Sequence, residues 1–312
     1  MLSVLRANWL DKFPVPQVND KKDSLQDFVM VRHLESKYNE YRRNIVESDL
    51  YKTLSTTSDP KIISENLLSL LEDFKKNVGL DYMTWLSTNG HAHGEKLSKL
   101  YAAFVAQFPD SFPDFIAISP YLRTRMTAHY FLKSVDGLDL DIDSLLDEEN
   151  YQDMVLGSFK GKDIVMQLRN DVRERSYGIH SIPAYLKKYF DDMSPLTSLS
   201  GLPRTYIDQL YYFTGDNHIE AQTKMEERAW RFHSDMMTMK YNYKKSYIFT
   251  HEQLILGWIN VPFGGSYRTF SNFYNHWRPV NGSMTILSKL DRTQMWQENK
   301  LRVAGYNLML EE

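Results

Sequence analysis

Residues 24–47, "SLQDFVMVRHLESKYNEYRRNIVE", carry the reading on which the fold turns. Leu25, Phe28, Val31, Leu34, Tyr38 and Ile45 recur near one face at a spacing close to 3.6 residues, which predicts an amphipathic helix. The same pattern recurs along the chain. At 59–79, Asp59 can cap, Pro60 suits the first helical position, and Gly79 supplies a left-handed stop. Further helices are expected at 94–108, 120–134, 144–156, 162–175, 183–190, 203–213, 217–238, 251–260, 267–278 and 291–304.

Strand signals are fewer. "YNYKKSYIF" (241–249) alternates large rings with polar residues, "LDLDID" (138–143) alternates apolar and acidic residues, and "SMTILSKL" (283–290) is a third candidate. Together these predict a mainly α protein, α+β only through a minor sheet or hairpin, with a body of about ten to twelve helices. Two regions are expected, either joined in one continuous domain or separated near "GSFKGK". The first, 1–157, is helical and contains an acidic segment at 134–159; the second, 158–312, is helical with a basic, aromatic-rich segment at 228–278.

Composition narrows the chemistry. The chain has 312 residues and no cysteine, which excludes disulfides, thiolate catalysis and cysteine-based zinc sites. The N-terminus has no continuous apolar core of the signal-peptide kind before Asp11, and no stretch approaches a membrane span. A chain with no membrane association is therefore expected, placed in a virion or a host cytoplasm.

Motifs that mark common enzymes are missing. There is no G-x-S-x-G, no phosphate-binding loop with its lysine and no G-x-G-x-x-G. "HAHGE" sets His91, His93 and Glu95 at alternate positions, which in an extended segment could converge on a metal. "DLDIDSLLDEEN" starts like a calcium loop but has Ser144 where the sharp turn needs Gly and Asn150 where a bidentate Glu is needed. His251-Glu252 and His233 with Asp235 are close in sequence, but near neighbours on a helix do not face each other, so neither pair reads as a dyad.

Two aromatic stretches remain. In "VPFGGSYRTFSNFYNHWRP" (261–279), Phe270, Phe273, Tyr274 and Trp277 keep helical spacing from Arg268 onward, and Arg278-Pro279 closes the run. In 228–247, Arg228, Arg231, Lys240, Lys244 and Lys245 interleave with Trp230, Phe232, Tyr241 and Tyr243, a pattern that suits phosphate neutralisation and base stacking. With no catalytic motif, no cofactor signature and a surplus of rings, the sequence predicts a self-assembling structural protein rather than an enzyme. The expectation is a viral or phage coat protein, a homo-oligomer forming a closed shell around nucleic acid. Two alternatives stand beside it: an RNA-binding nucleoprotein using 228–247, and a hydrolase-type enzyme with a His/acid site around 91–95.

Overall fold

The 24–47 stretch is not one helix. In the computed structural model, Asp27–Arg32 form strand β1, the chain turns through His33–Ser36, and only Lys37–Glu47 are helical (α1). Burial explains the difference. Phe28 and Met30 pack into one core while Val29 and Val31 pack into another, so the strand is apolar on both faces and shows no alternation. A doubly buried strand leading into a short helix imitates a single helical stripe. The break is set at Ser36, whose hydroxyl accepts from the Asn39 backbone N–H while the Asn39 side chain accepts from the Ser36 N–H.

The structure describes residues 27–56, 81–147, 153–175, 220–238, 243–260, 267–276, 278–289 and 301–308, with scattered positions between 62 and 78. After α1 come helix α2 (Asp49–Thr56), helix α3 (Thr88–Gln107), strand β2 (Phe115–Ile118) and helix α4 (Leu122–Leu132). Strands β3 (Leu138–Asp139), β4 (Met154–Phe159) and β5 (Lys162–Leu168) come next. The remainder is helix α5 (Gln222–Thr238), strand β6 (Lys245–Thr250), helices α6 (Glu252–Asn260) and α7 (Tyr267–His276), and strands β7 (Met284–Lys289) and β8 (Leu301–Leu308).

The strands form one eight-stranded sheet in the order β3-β4-β5-β2-β6-β1-β7-β8. The central four, β5, β2, β6 and β1, run parallel; β7 and β8 on one side and β4 and β3 on the other are antiparallel additions. Helices cover both faces. On one, α3 and α4 supply Leu97, Tyr101, Val105, Leu122 and Phe131. On the other, α5 and α6 supply Met225, Phe232, Leu254 and Trp258. This is a three-layer α/β architecture.

The expectation of a mainly α body of ten to twelve helices is therefore corrected. The 162–175 segment, expected to be helical, opens with strand β5, which pairs with β4 through a two-residue turn. Lys160 and Gly161 both have positive φ (50° and 80°), as a type I′ hairpin requires, so "GSFKGK" is a tight turn rather than a linker. The 144–156 segment holds a short 3₁₀ turn, Asp143–Leu146, and the start of β4. Residues 301–304, expected to end a helix, begin strand β8. The stretches 183–190, 203–213 and 291–300, and most of 59–79, lie outside the described residues. The strands expected near 241–249 and 283–290 coincide with β6 and β7, but as members of a large sheet. That sheet takes strands from both sides of residue 157. Among the described residues, no helix is long and apolar enough to cross a membrane.

One close approach fixes the loop after β1. Ser87 caps α3, accepting from the Gly90 N–H at 3.0 Å, and its own N–H donates to the Glu35 carbonyl at 3.0 Å. A Cβ on Gly90 would sit 2.0 Å from that carbonyl oxygen, so α3 can press on the loop only because residue 90 has no side chain. Helix propensity alone would favour Gly90→Ala by about 1 kcal/mol. The backbone clash opposes it, and overpacking of this kind costs about 1–3 kcal/mol. Gly90→Ala should therefore lower the urea midpoint rather than raise it; an increased midpoint would show that the loop yields freely.

Candidate active site

Four parallel strands end together, and the segments leaving them converge. Arg32 of β1 is in register with Thr250 of β6, and Ile118 of β2 with Phe249 of β6 and Leu168 of β5. His33, His251 and Ser119 therefore emerge side by side at the carboxyl ends, where open α/β sheets bind ligands. Backbone bonds continue past the strands: His33 N–H to Thr250 O at 3.0 Å, Ser119 N–H to Phe249 O at 3.0 Å, and Arg169 N–H to Ile118 O at 2.8 Å. After β1 and after β6 the chain departs to opposite faces of the sheet, which leaves a crevice between them.

His33 is 3% exposed and His251 fully buried, with ring centroids 5.1 Å apart. His33 Nδ1 lies 2.7 Å from the Leu34 carbonyl. A carbonyl only accepts, so Nδ1 carries the proton and Nε2 keeps its lone pair. The backbone around His33 is braced from three directions. Leu34 N–H donates to Thr127 Oγ1 at 2.9 Å, Asn281 Nδ2 donates to the His33 carbonyl at 2.8 Å, and Gly282 N–H donates to the Arg32 carbonyl at 3.0 Å. Gly282 adopts φ +80°, and a Cβ there would meet His93 at 2.9 Å.

His251 Nε2 lies 2.8 Å from Ser119 Oγ and 3.2 Å from Thr124 Oγ1. Its Nδ1 is 3.5 Å from Glu174 Oε2, and Tyr121 stands edge-on to the ring. Arg123, from the first turn of α4, is buried and lies over the Tyr121 ring. On the far side of His33, Arg32 donates from Nη2 to Glu252 at 2.8 Å and from Nη1 to the Pro279 carbonyl.

Both imidazoles are held neutral. Burial drives His33 well below the ordinary imidazole value, and the Arg123 and Arg32 cations add to it against the opposing Leu34 carbonyl. Burial acts first on His251 too, then Arg123, His33, Arg228 and Arg32 in that order. The site thus pairs two uncharged nitrogen bases with fixed positive charge and one nearby carboxyl group, that of Glu174.

Among the described residues, His33, Glu174 and His251 form a group whose donor atoms all lie within 4.8 Å of one another, close enough to surround a metal ion. The electrostatics point the other way. The two guanidinium groups that depress both histidines would repel a dication and attract an anion.

The residues singled out in the sequence fall elsewhere. His91, His93 and Glu95 lie within helix α3, where alternate positions diverge. His91 Nδ1 meets Tyr130 Oη at 2.8 Å, His93 packs on Gly282, and Glu95 pairs with Lys133 at 2.7 Å. In the basic segment, Arg228 pairs with Glu220 and donates to the Asp171 and Arg173 carbonyls, and Arg231 pairs with Glu227 one turn away. Tyr243 is buried and stacked on Phe115, with ring centroids 4.8 Å apart. The Lys244 and Lys245 N–H groups both donate to Asp114 at 2.9 Å. Lys240, Tyr241 and Trp277 lie outside the described residues, and Arg268 is placed only as backbone in α7. Arg278 donates to Glu252 at 2.6 Å.

Sequence reasoning missed His33 inside a supposed helix and set His251 aside because Glu252 is its neighbour. The signal was present: Arg32-His33 ends an apolar run, and His251 ends another. The ring surplus finds an internal use as well. Trp230, Phe232, Tyr243, Trp258 and Phe270 are all buried within one chain.

No family model matches the chain, and no curated protein matches it in sequence. Solved structures do match in shape. A mycobacterial glucosyl-3-phosphoglycerate phosphatase aligns with a TM-score of 0.54 and 12% identity, covering 91% of this chain and 100% of its own. The alpha-ribazole phosphatase of Shigella flexneri aligns with a TM-score of 0.51 and 11% identity, covering 90% and 96%. YhfR of Bacillus stearothermophilus aligns with a TM-score of 0.52 and 12% identity, covering 90% and 96%. At such identities the likeness shows the fold, an α/β fold of the phosphoglycerate-mutase kind. It overturns the expectation of a virion coat protein with no reaction to perform.

Proposed function

We propose that the protein is a phosphatase that hydrolyses phosphate monoesters through a phosphohistidine at His33. The observation that carries this reading is the buried, neutral His33, its Nδ1 proton committed to Leu34 O, set among Arg32, Arg123 and His251. The shared fold with phosphatases supports it.

The chemistry derives from the groups present. His33 Nε2 attacks phosphorus with its lone pair while the ester P–O bond breaks, and Glu174 gives its proton to the departing alkoxide. Arg123 and Arg32 offset the charge on the phosphoryl oxygens, and His251 meets them as a hydrogen-bond partner oriented by Ser119 and Thr124. Water then attacks the phosphorus, Glu174 takes its proton, and the P–N bond pair returns to His33. Burial favours this order of events. A protonated imidazole has no lone pair to give, and the pressure that keeps His33 neutral keeps it nucleophilic.

The first test is hydrolysis of p-nitrophenyl phosphate together with acid-labile phosphorylation of the protein. His33→Ala should lose at least about 10³-fold in kcat/KM and all labelling. His251→Ala should lose about 10²-fold. Absence of turnover in the wild type, or labelling that survives His33→Ala, would overturn the reading. Because cations rather than a metal serve the phosphate, dialysis against EDTA should leave activity unchanged; a stoichiometric ion whose removal stops turnover would favour the metal centre instead.

The same burial has a stability consequence. Both histidines stay neutral when folded, whereas the unfolded chain takes up protons below about pH 6.5. The unfolded state therefore binds more protons in acid, and stability should fall as pH drops from about 6.5 toward the lower folded values. Denaturant midpoints between pH 8 and 5 test this, and His33→Asn should flatten the acid limb. An unchanged limb in that variant would show that His33 is not held neutral.

A further inference from the structure

Glu174, the carboxyl group that the phosphatase mechanism sets against the leaving oxygen, stands where secondary structure does least to place it. It follows the 3₁₀ turn Asn170–Val172 and belongs to neither helix nor strand. A general acid must come within about 2.6–3.2 Å of the atom it protonates. Some other contact therefore has to hold residues 170–174. One tie comes from β6, where Thr250 Oγ1 donates to the Val172 carbonyl at 2.7 Å. The carboxylate itself is steered locally: Oε1 accepts from the Arg175 N–H at 3.0 Å, and Oε2 faces His251 Nδ1 at 3.5 Å.

The main brace is a guanidinium from α5. The Arg228 side chain is only 15% exposed, and all three of its nitrogens are engaged. Nε and Nη2 donate to the two carboxylate oxygens of Glu220, at 3.1 and 2.9 Å. Nη1 donates to the Asp171 carbonyl at 2.8 Å and to the Arg173 carbonyl at 3.0 Å. The Arg173 carbonyl shares a planar peptide unit with the Glu174 nitrogen, so fixing it orients the backbone that enters Glu174. The next peptide unit is held as well: Arg173 Nη1 donates to the Glu174 carbonyl at 2.9 Å and reaches Glu220 Oε2 at 3.3 Å. Both peptide planes flanking Glu174 are thus pinned by cations that share one anion, Glu220. A half-buried ion pair is weak ground for net stability. What this one supplies is geometry, through a rigid fork that spans a carboxylate and two carbonyls at once.

We propose that Arg228, braced by Glu220, is the positioning residue of the general acid, setting the peptide before Glu174 so that its carboxyl group meets the leaving oxygen. This rests on the phosphatase reading and goes beyond it in naming the part of the reaction that fails when the brace is loosened. Among the described residues, Arg228 donates to Glu220 and to the 170–173 turn, not to His33 or His251, so its hydrogen bonds reach the reaction through Glu174. A misplacement of about 1 Å can cost about 10²-fold, and the loss falls on the step that the misplaced group serves. Attack by His33 does not use the Glu174 proton. Departure of a basic leaving group does, and departure of a weakly basic one needs it far less. Loosening the brace should therefore make turnover depend on the basicity of the leaving oxygen.

The experiment compares phenyl phosphate with p-nitrophenyl phosphate, two esters of similar shape whose leaving oxygens differ strongly in basicity. The quantity read is kcat/KM, which reports the step that forms the phosphohistidine and not its later hydrolysis. Arg228→Lys keeps the charge and removes the fork. It should lose about 10- to 100-fold on phenyl phosphate and less than about threefold on p-nitrophenyl phosphate. Glu174→Gln should show the same selectivity with a larger loss. Glu220→Gln loosens the brace from its other side, should move the ratio in the same direction, and serves in place of Arg228→Lys if that variant does not fold. Circular dichroism and the thermal midpoint check folding. Equal losses on the two esters, or no loss on either, would overturn the positioning role, while p-nitrophenyl phosphate turnover and His33 labelling leave the phosphatase reading standing. A wild type that hydrolyses p-nitrophenyl phosphate but not phenyl phosphate would overturn the acid and its brace together. A wild type that hydrolyses neither would overturn the phosphatase reading as well.

Discussion

The pairing of β1 with β6 is the constraint on which the rest of the site depends. The two strands are far apart in sequence, yet their parallel register sets Arg32 opposite Thr250 and therefore His33 beside His251. A slip of one residue would send every side chain of β1 to the wrong face. It is prevented because both faces are buried: Phe28 and Met30 must reach the core under α5 and α6, and Val29 and Val31 the core under α3 and α4. Packing of four apolar side chains thus fixes the position of an imidazole at the strand's end.

The second organising feature is buried charge. An ion pair such as Arg32–Glu252 contributes little net stability once its desolvation is counted. Its effect is geometric: it holds a guanidinium at the end of β1, with the Pro279 carbonyl as a further anchor. Burial first, and then the Arg123 and Arg32 cations, keep both histidines neutral, so the positive field and the lone pairs of the site arise from one arrangement. Helix α3 serves it indirectly. Its first turn presses on the Glu35 carbonyl through Gly90, and His93 fills the space beside Gly282, so the loop bearing His33 is confined on both sides.

How much was legible in the sequence depends on where periodicity is a faithful guide. Helices α3, α5 and α7 keep exposed positions beside buried ones, and their stripes can be read. The central strands cannot be read in that way. "DFVMVR", "FIAI" and "KDIVMQL" are short apolar runs buried on both sides, and periodicity does not separate them from pieces of buried helix. The missed local signal was Gly161, a glycine between two apolar runs, which takes the positive φ a two-residue hairpin turn needs. The aromatic surplus misled in another way. Ring count says nothing about whether rings face inward, and here Trp230, Phe232, Tyr243 and Trp258 do.

By itself the sequence determined what depends on neighbours along the chain: the absence of cysteine chemistry, the stripe of α7 and the stop at Pro279. It also holds every group of the candidate site, since Arg32, His33, Arg123, Glu174 and His251 are all in plain view. Only the tertiary structure decided that they belong together. His33 and His251 are 5.1 Å apart between ring centroids because two strands from opposite ends of the chain lie side by side. Their neutrality comes from burial and from the field of residues distant in sequence, quantities that exist only once the chain has folded.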